Sequence, residues 1–244
     1  MSGHSKWHNI QGRKGKQDAK RGNVFSKFAK KISVVTKAGG GSLDTNFALR
    51  MLIEKAKKEG MPRENIDRAI KAGTGELKDV VQVEELLYEG FGPGGTAIMI
   101  KILTDNKNRT APEIKKLLSD HGGSMGGSGS VQWMFQQWGI IRIEKSKIKM
   151  KNLGLDIFEL GLIEAGAEDI YSNEEEFEIK TKVENLQKVL IKIKEMGIES
   201  DSSGIEWVAK EKLSVSSEIT EKLQSLFADL EDHDDVEDYF TNAE

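Results

Sequence analysis

Two kinds of hydrophobic pattern divide the chain. Over the first 75 residues the apolar positions recur with helical spacing. From about Asn23 to Lys37, Phe25, Phe28, Ile32 and Val35 fall at i, i+3, i+7 and i+10, which places them on one side of a helix. The glycines of "AGGGS" permit the backbone to leave that helix. A second helix is predicted from about Thr45 to Glu59, with Leu49, Leu52, Ile53 and Ala56 on one face. "GMP" interrupts it at Gly60, and Pro62 can open a third helix carrying Ile66, Ala69 and Ile70 as far as "GTG". Three short amphipathic helices bury their stripes against one another, so a small bundle is expected.

After Glu76 the pattern becomes that of strands. "EELLYEGF" and "TAIMIKIL", joined by "GPGG", predict a hairpin. "TAPE" has the form of a capping box, with Thr110 as N-cap and Glu113 three residues on, and predicts a helix to about His121. The glycine-rich "GGSMGGSGS" reads as a linker, followed by two strands, "VQWMFQQ" and "GIIRIEK". A helix over about Asp156–Ala165, strands "AEDIYS" and "EFEIKTK", the helix "ENLQKVLIKIKEMG" and a strand beginning at "IES" come next. The order strand, turn, strand, helix, glycine, strand thus occurs twice, which suits two α+β modules with helices on one side of a mainly antiparallel sheet. The chain ends in the strand "GIEWVAKEK", a helix from about Ser217 with Leu223, Phe227 and Leu230, and an acidic tail expected to be a solvated, partly frayed helix.

Charge sharpens this division. The formal net charge of −4 conceals 17 Lys/Arg against 6 Asp/Glu in residues 1–75, a net of +11, while the remaining 19 and 34 give −15. A polyanion would be attracted by the first part and repelled by the second, so binding would be oriented. The opening "SGHSKWHNIQGRKGKQDAKRG" concentrates the effect: Asp18 is the one acid through Lys31, against nine Lys/Arg. Lys6, Arg13, Lys14, Lys16, Lys20, Arg21, Lys27 and Lys31 are therefore the candidate phosphate contacts, since cations on a nucleic-acid backbone release counterions without reading sequence. Gly12, Gly15 and Gly22 would let an arm approach that backbone closely. Trp7 is a candidate for stacking on an exposed base, or alternatively covers an apolar gap on the bundle.

Other chemistry is poorly supported. The chain has no cysteine, which excludes disulfides, thiolate nucleophiles and cysteine-held metals. His4 and His8 have helical ligand spacing but no evident third ligand, and neither glycine-rich segment ends in the Gly-Lys-Ser/Thr of a phosphate loop. Lys107 and Arg109 of "TDNKNRT" can touch phosphate, although capping explains much of that segment. The tail lacks the glycine and spacing of a calcium loop. No serine elbow, metal triad or dinucleotide fingerprint is present, so no enzymatic activity and no cofactor are expected. No apolar run approaches the ~20 residues of a membrane span, and no secretory h-region opens the chain, so a cytoplasmic protein is expected.

"GHSKWHNI", "KGKQDAKRGNVFSKFAKKI", "EKAKKEGMPRENIDRAIKAGTG", "YEGFGPGG" and "TDNKNRT", with the concluding "LEDHDDVEDYFTNAE", together resemble the YebC/PmpR family over nearly the full chain. "NFALR" and "KKI" depart slightly from the expected pattern. The resemblance implies an α+β multidomain fold: an N-terminal three-helix bundle, then two similar α+β domains, the third inserted into the second. The corresponding boundaries are 1–78, 79–129 with 206–244, and 130–205. It further implies a regulator of gene expression that binds DNA. The alternative it implies is a ribosome-associated translation factor that binds ribosomal RNA and relieves stalling at proline runs, the family including a mitochondrial translational activator. RNA polymerase or the ribosome would be the protein partner, with no membrane and no small-molecule substrate.

Overall fold

The computed structural model describes residues 19–77, 82–150 and 154–244. The chain separates into two compact units, one built from the described residues up to Val131 together with Val215–Tyr239, the other from Gln132–Ser214 and Phe240–Glu244.

In the first unit, helices α1 (Ala19–Gly39), α2 (Phe47–Lys58) and α3 (Arg63–Thr74) form the expected bundle. Its interior is Phe28 and Ile32 of α1, Leu49, Ile53 and Ala56 of α2, and Ile66 and Ala69 of α3, closed by Met61. Asn46 caps α2 by accepting from the Leu49 amide at 3.0 Å, while its own amide donates to Val35 O and Gly40 O. One buried side chain thus fixes the α1–α2 turn. Helix α3 crosses α1 at Gly73, where an added Cβ would stand 2.4 Å from Ser33 O and 2.6 Å from Thr36 Cβ.

A four-stranded sheet completes this unit, in the order β3 (Ser124–Met125), β1 (Glu84–Phe91), β2 (Ala97–Thr104), β8 (Val236–Thr241). Strands β1 (Glu84–Phe91) and β2 (Ala97–Thr104) pair antiparallel in continuous register from Glu84↔Thr104 to Phe91↔Ala97. Between them Gly94 and Gly95 hold the left-handed conformation the tight turn requires. Helix α4 (Lys107–Asp120) follows, then the two-residue β3 (Ser124–Met125). After the excursion into the second unit come α8 (Ser217–Asp232) and β8 (Val236–Thr241). Ile114 and Leu118 of α4 and Leu223, Leu226, Phe227 and Leu230 of α8 are buried. Phe227 stacks on Tyr239 with centroids 4.5 Å apart.

The second unit has a sheet of order β5-β6-β4-β7: β4 (Phe135–Glu144), β5 (Ala167–Ser172), β6 (Glu176–Thr181) and β7 (Ser202–Ala209). Every pairing is antiparallel, and β4 runs unbroken between β6 and β7. The short α5 (Lys145–Met150) precedes α6 (Leu155–Ala165) and α7 (Leu186–Glu195), and Phe158, Leu162, Val189 and Ile193 bury against Ile141, Ile143, Phe177 and Ile179. Arg142 of β4 lies between Glu178 on β6 and Glu206 on β7, at 3.0 and 2.6 Å. Burial opposes its charge, and the two carboxylates more than offset that, so its pKa rises further. No helix among the described residues is long and apolar enough to cross a membrane.

Several expectations change. The cap of α4 is Asn106, not Thr110: its side chain accepts from Arg109 N at 3.2 Å, and Thr110 is buried inside the first turn. "VQWMFQQ" and "GIIRIEK" are not two strands but one, entered through a 3-10 turn at Gln132–Met134. "IES" is not a strand, and β7 begins at Ser202. β7 pairs with β4, so this strand lies in the second sheet, and the chain returns to the first unit only at Val215. The two repeated passages also end differently: β3 pairs with β1, the first strand of its own passage, whereas β7 pairs with β4, which precedes its passage. "GGSMGGSGS" is a tied loop, because the buried Glu89 carboxylate accepts from Gly129 N and Val131 N at 2.6 and 2.8 Å.

Gly73→Ala forces two helix backbones apart where no side-chain end can yield. We expect a loss of about 1–3 kcal/mol, seen as a lower urea midpoint with an unchanged slope.

Candidate nucleic-acid interface

Helix α1 carries six Lys/Arg and no acid, and the acidic tail meets it directly. Lys27 Nζ donates to Glu231 O at 2.6 Å, and Lys31 Nζ lies 3.0 Å from Glu237. Lys30 Nζ donates to Asp234 O at 3.0 Å and also pairs with the Asp235 carboxylate. Asn23 adds a bond to Asp232 O at 3.0 Å. The expected solvated tail is therefore a fixed segment that ends in a strand of the sheet. The reason is electrostatic: six of the eight residues 231–238 are acidic, and the helix facing them is rich in lysine. Burial lowers the pKa of Lys27 first, the neighbouring Lys31 lowers it further, and Asp234, Glu231 and Asp232 act in the opposite sense.

Asp235 is the centre of this cluster, with its side chain 1% exposed. Besides Lys30, it accepts from Thr110 Oγ1 at 2.6 Å, Arg109 Nη2 at 2.8 Å and Thr104 Oγ1 at 3.1 Å. Its backbone oxygen accepts from Leu103 N at 2.8 Å. Burial alone would raise its pKa. The Lys30, Thr110 and Arg109 donors outweigh that and hold it well below the usual carboxylate range. Arg109, which the sequence offers as a phosphate contact, is instead raised in pKa by its hydrogen bond to Asp235, with Asp105 as a second partner at 3.1 Å.

The predicted phosphate contacts therefore separate. Lys27 and Lys31 are engaged within the protein. Lys20 and Arg21 lie in α1, with side chains outside the described set, and Lys6, Trp7, Arg13, Lys14 and Lys16 lie outside the described residues altogether. Other cations, which sequence reasoning did not single out, are solvent-exposed on the bundle: Lys37, Lys55, Lys57, Lys58, Arg68 and Lys71. None of these six forms an ion pair among the described residues. The helical spacing that places Lys55 and Lys58 opposite Ile53 and Ala56 is legible in the sequence, but the N-terminal charge run is the stronger signal.

Formal charge is distributed unevenly along the sequence. Residues 22–76 hold 11 Lys/Arg and 6 Asp/Glu, and with Lys27, Lys30 and Lys31 committed to the tail the balance is 8 against 6. Residues 1–21 hold six cations and one acid. Among the described residues no group of three or more His, Asp or Glu is placed to hold a metal.

Family models described as the TACO1/YebC protein N-terminal domain and the TACO1/YebC second and third domain match residues 5–76 and 83–243. A probable transcriptional regulatory protein of Thermoanaerobacter pseudethanolicus is 46% identical over 100% of this chain and 97% of its own length. One from Thermotoga petrophila is 45% identical over 100% and 94%. The crystal structure of a conserved hypothetical protein from Aquifex aeolicus superposes with a TM-score of 0.83 at 39% identity, covering 95% of this chain and 93% of that one.

The Asp235 cluster predicts its own pH dependence. A carboxylate whose folded pKa is depressed stabilises the fold above its unfolded value of about 3.9 and loses that contribution as pH falls below it. Asp235→Asn should lower stability by about 3 kcal/mol at neutral pH. The gap between variant and wild type, followed by urea unfolding, should narrow progressively in acid.

Proposed function

We propose, from the premise that this chain belongs to the TACO1/YebC family, that it is a non-enzymatic regulator of gene expression that holds DNA by its phosphate backbone. The relatives named above as probable transcriptional regulatory proteins support the regulatory role. The observation that carries the binding role is the distribution of formal charge along the chain. Once the tail has taken Lys27, Lys30 and Lys31, the cationic excess lies on residues 1–21. Lys6, Arg13, Lys14, Lys16, Lys20 and Arg21 are the phosphate contacts in this reading, with Trp7 stacking and the exposed lysines of α2 extending the field.

The engagement of α1 bears on the mode of recognition. A helix whose lysines face its own C-terminal segment does not offer them to a major groove, so backbone attraction rather than base-edge readout dominates. The same feature favours a second reading, in which the polyanion is ribosomal RNA and the protein acts in translation. Both ligands engage the same cations, and direct competition between duplex DNA and structured ribosomal RNA distinguishes them.

Replacing Lys14, Lys16 and Arg21 together by alanine should weaken binding across all sequences and flatten the salt dependence by about one unit of slope for each cation removed. Lys27→Ala/Lys31→Ala should leave affinity nearly unchanged while lowering stability. Fluorescence anisotropy at several salt concentrations, paired with urea unfolding, reads both. Equal losses of affinity in the two variants would overturn the assignment of the grip to residues 1–21.

A further inference from the structure

The outer strands of the two sheets are not protected alike. In the first sheet, β3 has only two residues, and β8 carries Glu237 and Asp238. In the second, β5 carries Glu168 and Asp169, and a register shift interrupts its ladder between Ala167 and Asp169. Shortness, charge and irregularity keep an edge from pairing with another chain. The remaining outer strand, β7, is different. It runs eight residues beside β4 in unbroken register, and "SSGIEWVA" contains no proline and no lysine. Its one charged side chain, Glu206, is taken up by Arg142.

The ladder defines which main-chain groups this edge leaves open. Lys210 N donates to Met134 O at 2.9 Å, so the even-numbered residues of β7 turn their main chain toward β4. By the alternation of an antiparallel pair, Ser203, Ile205, Trp207 and Ala209 turn theirs outward. None of these four main chains has a hydrogen-bond partner among the described residues. Ile205 stands opposite Gly139, whose added Cβ would meet Leu186 Cβ at 3.0 Å, so its side chain lies on the face the helices cover. It is nevertheless 50% exposed. On the other face, Gly204 has no atom within 4 Å of an added Cβ.

We propose that the outer edge of β7 binds an extended, uncharged segment of a partner protein as a further strand of this sheet. The segment runs antiparallel, as every pair in the sheet does. Along about 20 Å it meets four outward N–H and four outward C=O groups. A helix, whose own main chain is already paired, does not satisfy them. Branched aliphatic residues at alternate positions lie beside Ile205 and Trp207 and extend the layer that Ile141 and Ile179 begin. The residues between them lie beside Gly204 and Glu206. Because β7 offers no uncommitted charge, a neutral strand fits it better than a basic or acidic one. One added strand makes a small interface whose affinity rests on main-chain bonds, which suits a transient partner. This inference is independent of the proposed nucleic-acid grip, which does not use β7.

A capped peptide of alternating valine and threonine, closed by a lysine at each end for solubility, tests it against the isotopically labelled full chain. On titration the amide resonances of Ser203, Ile205, Trp207 and Ala209 should shift together, and their hydrogen exchange should slow. The same peptide N-methylated at its valines cannot pair and should not bind. Ile205→Pro removes an N–H that the fold does not use and should weaken binding at least about tenfold. Ile205→Lys leaves the backbone intact, sets a charge on the edge and should weaken binding likewise. A peptide that fails to bind overturns the proposal, as does binding that survives both substitutions, equal affinity for the N-methylated peptide, or shifts confined to other residues. A dimer in sedimentation equilibrium that Ile205→Pro abolishes overturns the choice of a foreign strand in favour of a second copy.

Discussion

The first unit depends on one buried carboxylate. Asp235 gathers donors from α1, from the end of β2 and from the first turn of α4, segments that lie 125 residues or more from it along the chain. An ion of this kind is costly to desolvate, and the cost is met only because four donors surround it. Without Asp235, Lys30 would be left without its carboxylate, and Thr104 and Thr110 would lose their common acceptor. Hydrophobic burial brings the helices and sheet together, and this cluster specifies how they meet.

That constraint reshapes the electrostatic picture. A tail with six acids in eight residues looks like a solvated appendage when taken alone. Once Asp235 anchors it, Glu231, Asp234 and Glu237 are carried onto the lysines of α1, and β8 continues from the same segment into the sheet. The tail is therefore not a displaceable mimic of phosphate, because removing it would also strip a strand from the sheet. Lys27, Lys30 and Lys31 of α1 serve the fold, and a polyanion must be drawn by other cations.

How much of this is legible in the sequence follows from the range of the forces involved. The three helices of the bundle, the strands Glu84–Phe91 and Ala167–Ser172 and the core of α8 can be read because periodicity and turn chemistry are local. The cap of α4 is ambiguous because "TDNKNRT" contains several residues able to cap, Asn106 and Thr110 among them, and Thr110 is taken up by Asp235. The glycine-rich loop reads as a linker because its anchor, Glu89, stands 40 residues before Gly129. The fate of Lys27 and Lys31 is hidden for the same reason, since their partners are more than 200 residues away. Local pattern identifies which side chains are charged. Only the tertiary fold decides whether that charge is available.

The second unit solves the same problem with the signs reversed. Arg142 is enclosed by Glu178 and Glu206 from the two flanking strands, and it meets Glu206 through both terminal nitrogens. The planar guanidinium matches that fork, which a lysine could not. Removing either kind of centre strands charges that are buried together, whereas an apolar replacement of the whole set need not destabilise. Each unit thus has a charged centre that selects one arrangement of elements which hydrophobic contact alone would leave less defined. In the second unit the strand pairing of β4 with β6 and β7 already sets the register that brings the three side chains together, so the ion cluster reinforces a choice the backbone has made. In the first, the elements around Asp235 include helices with no ladder to align them. There the buried charge makes the choice itself.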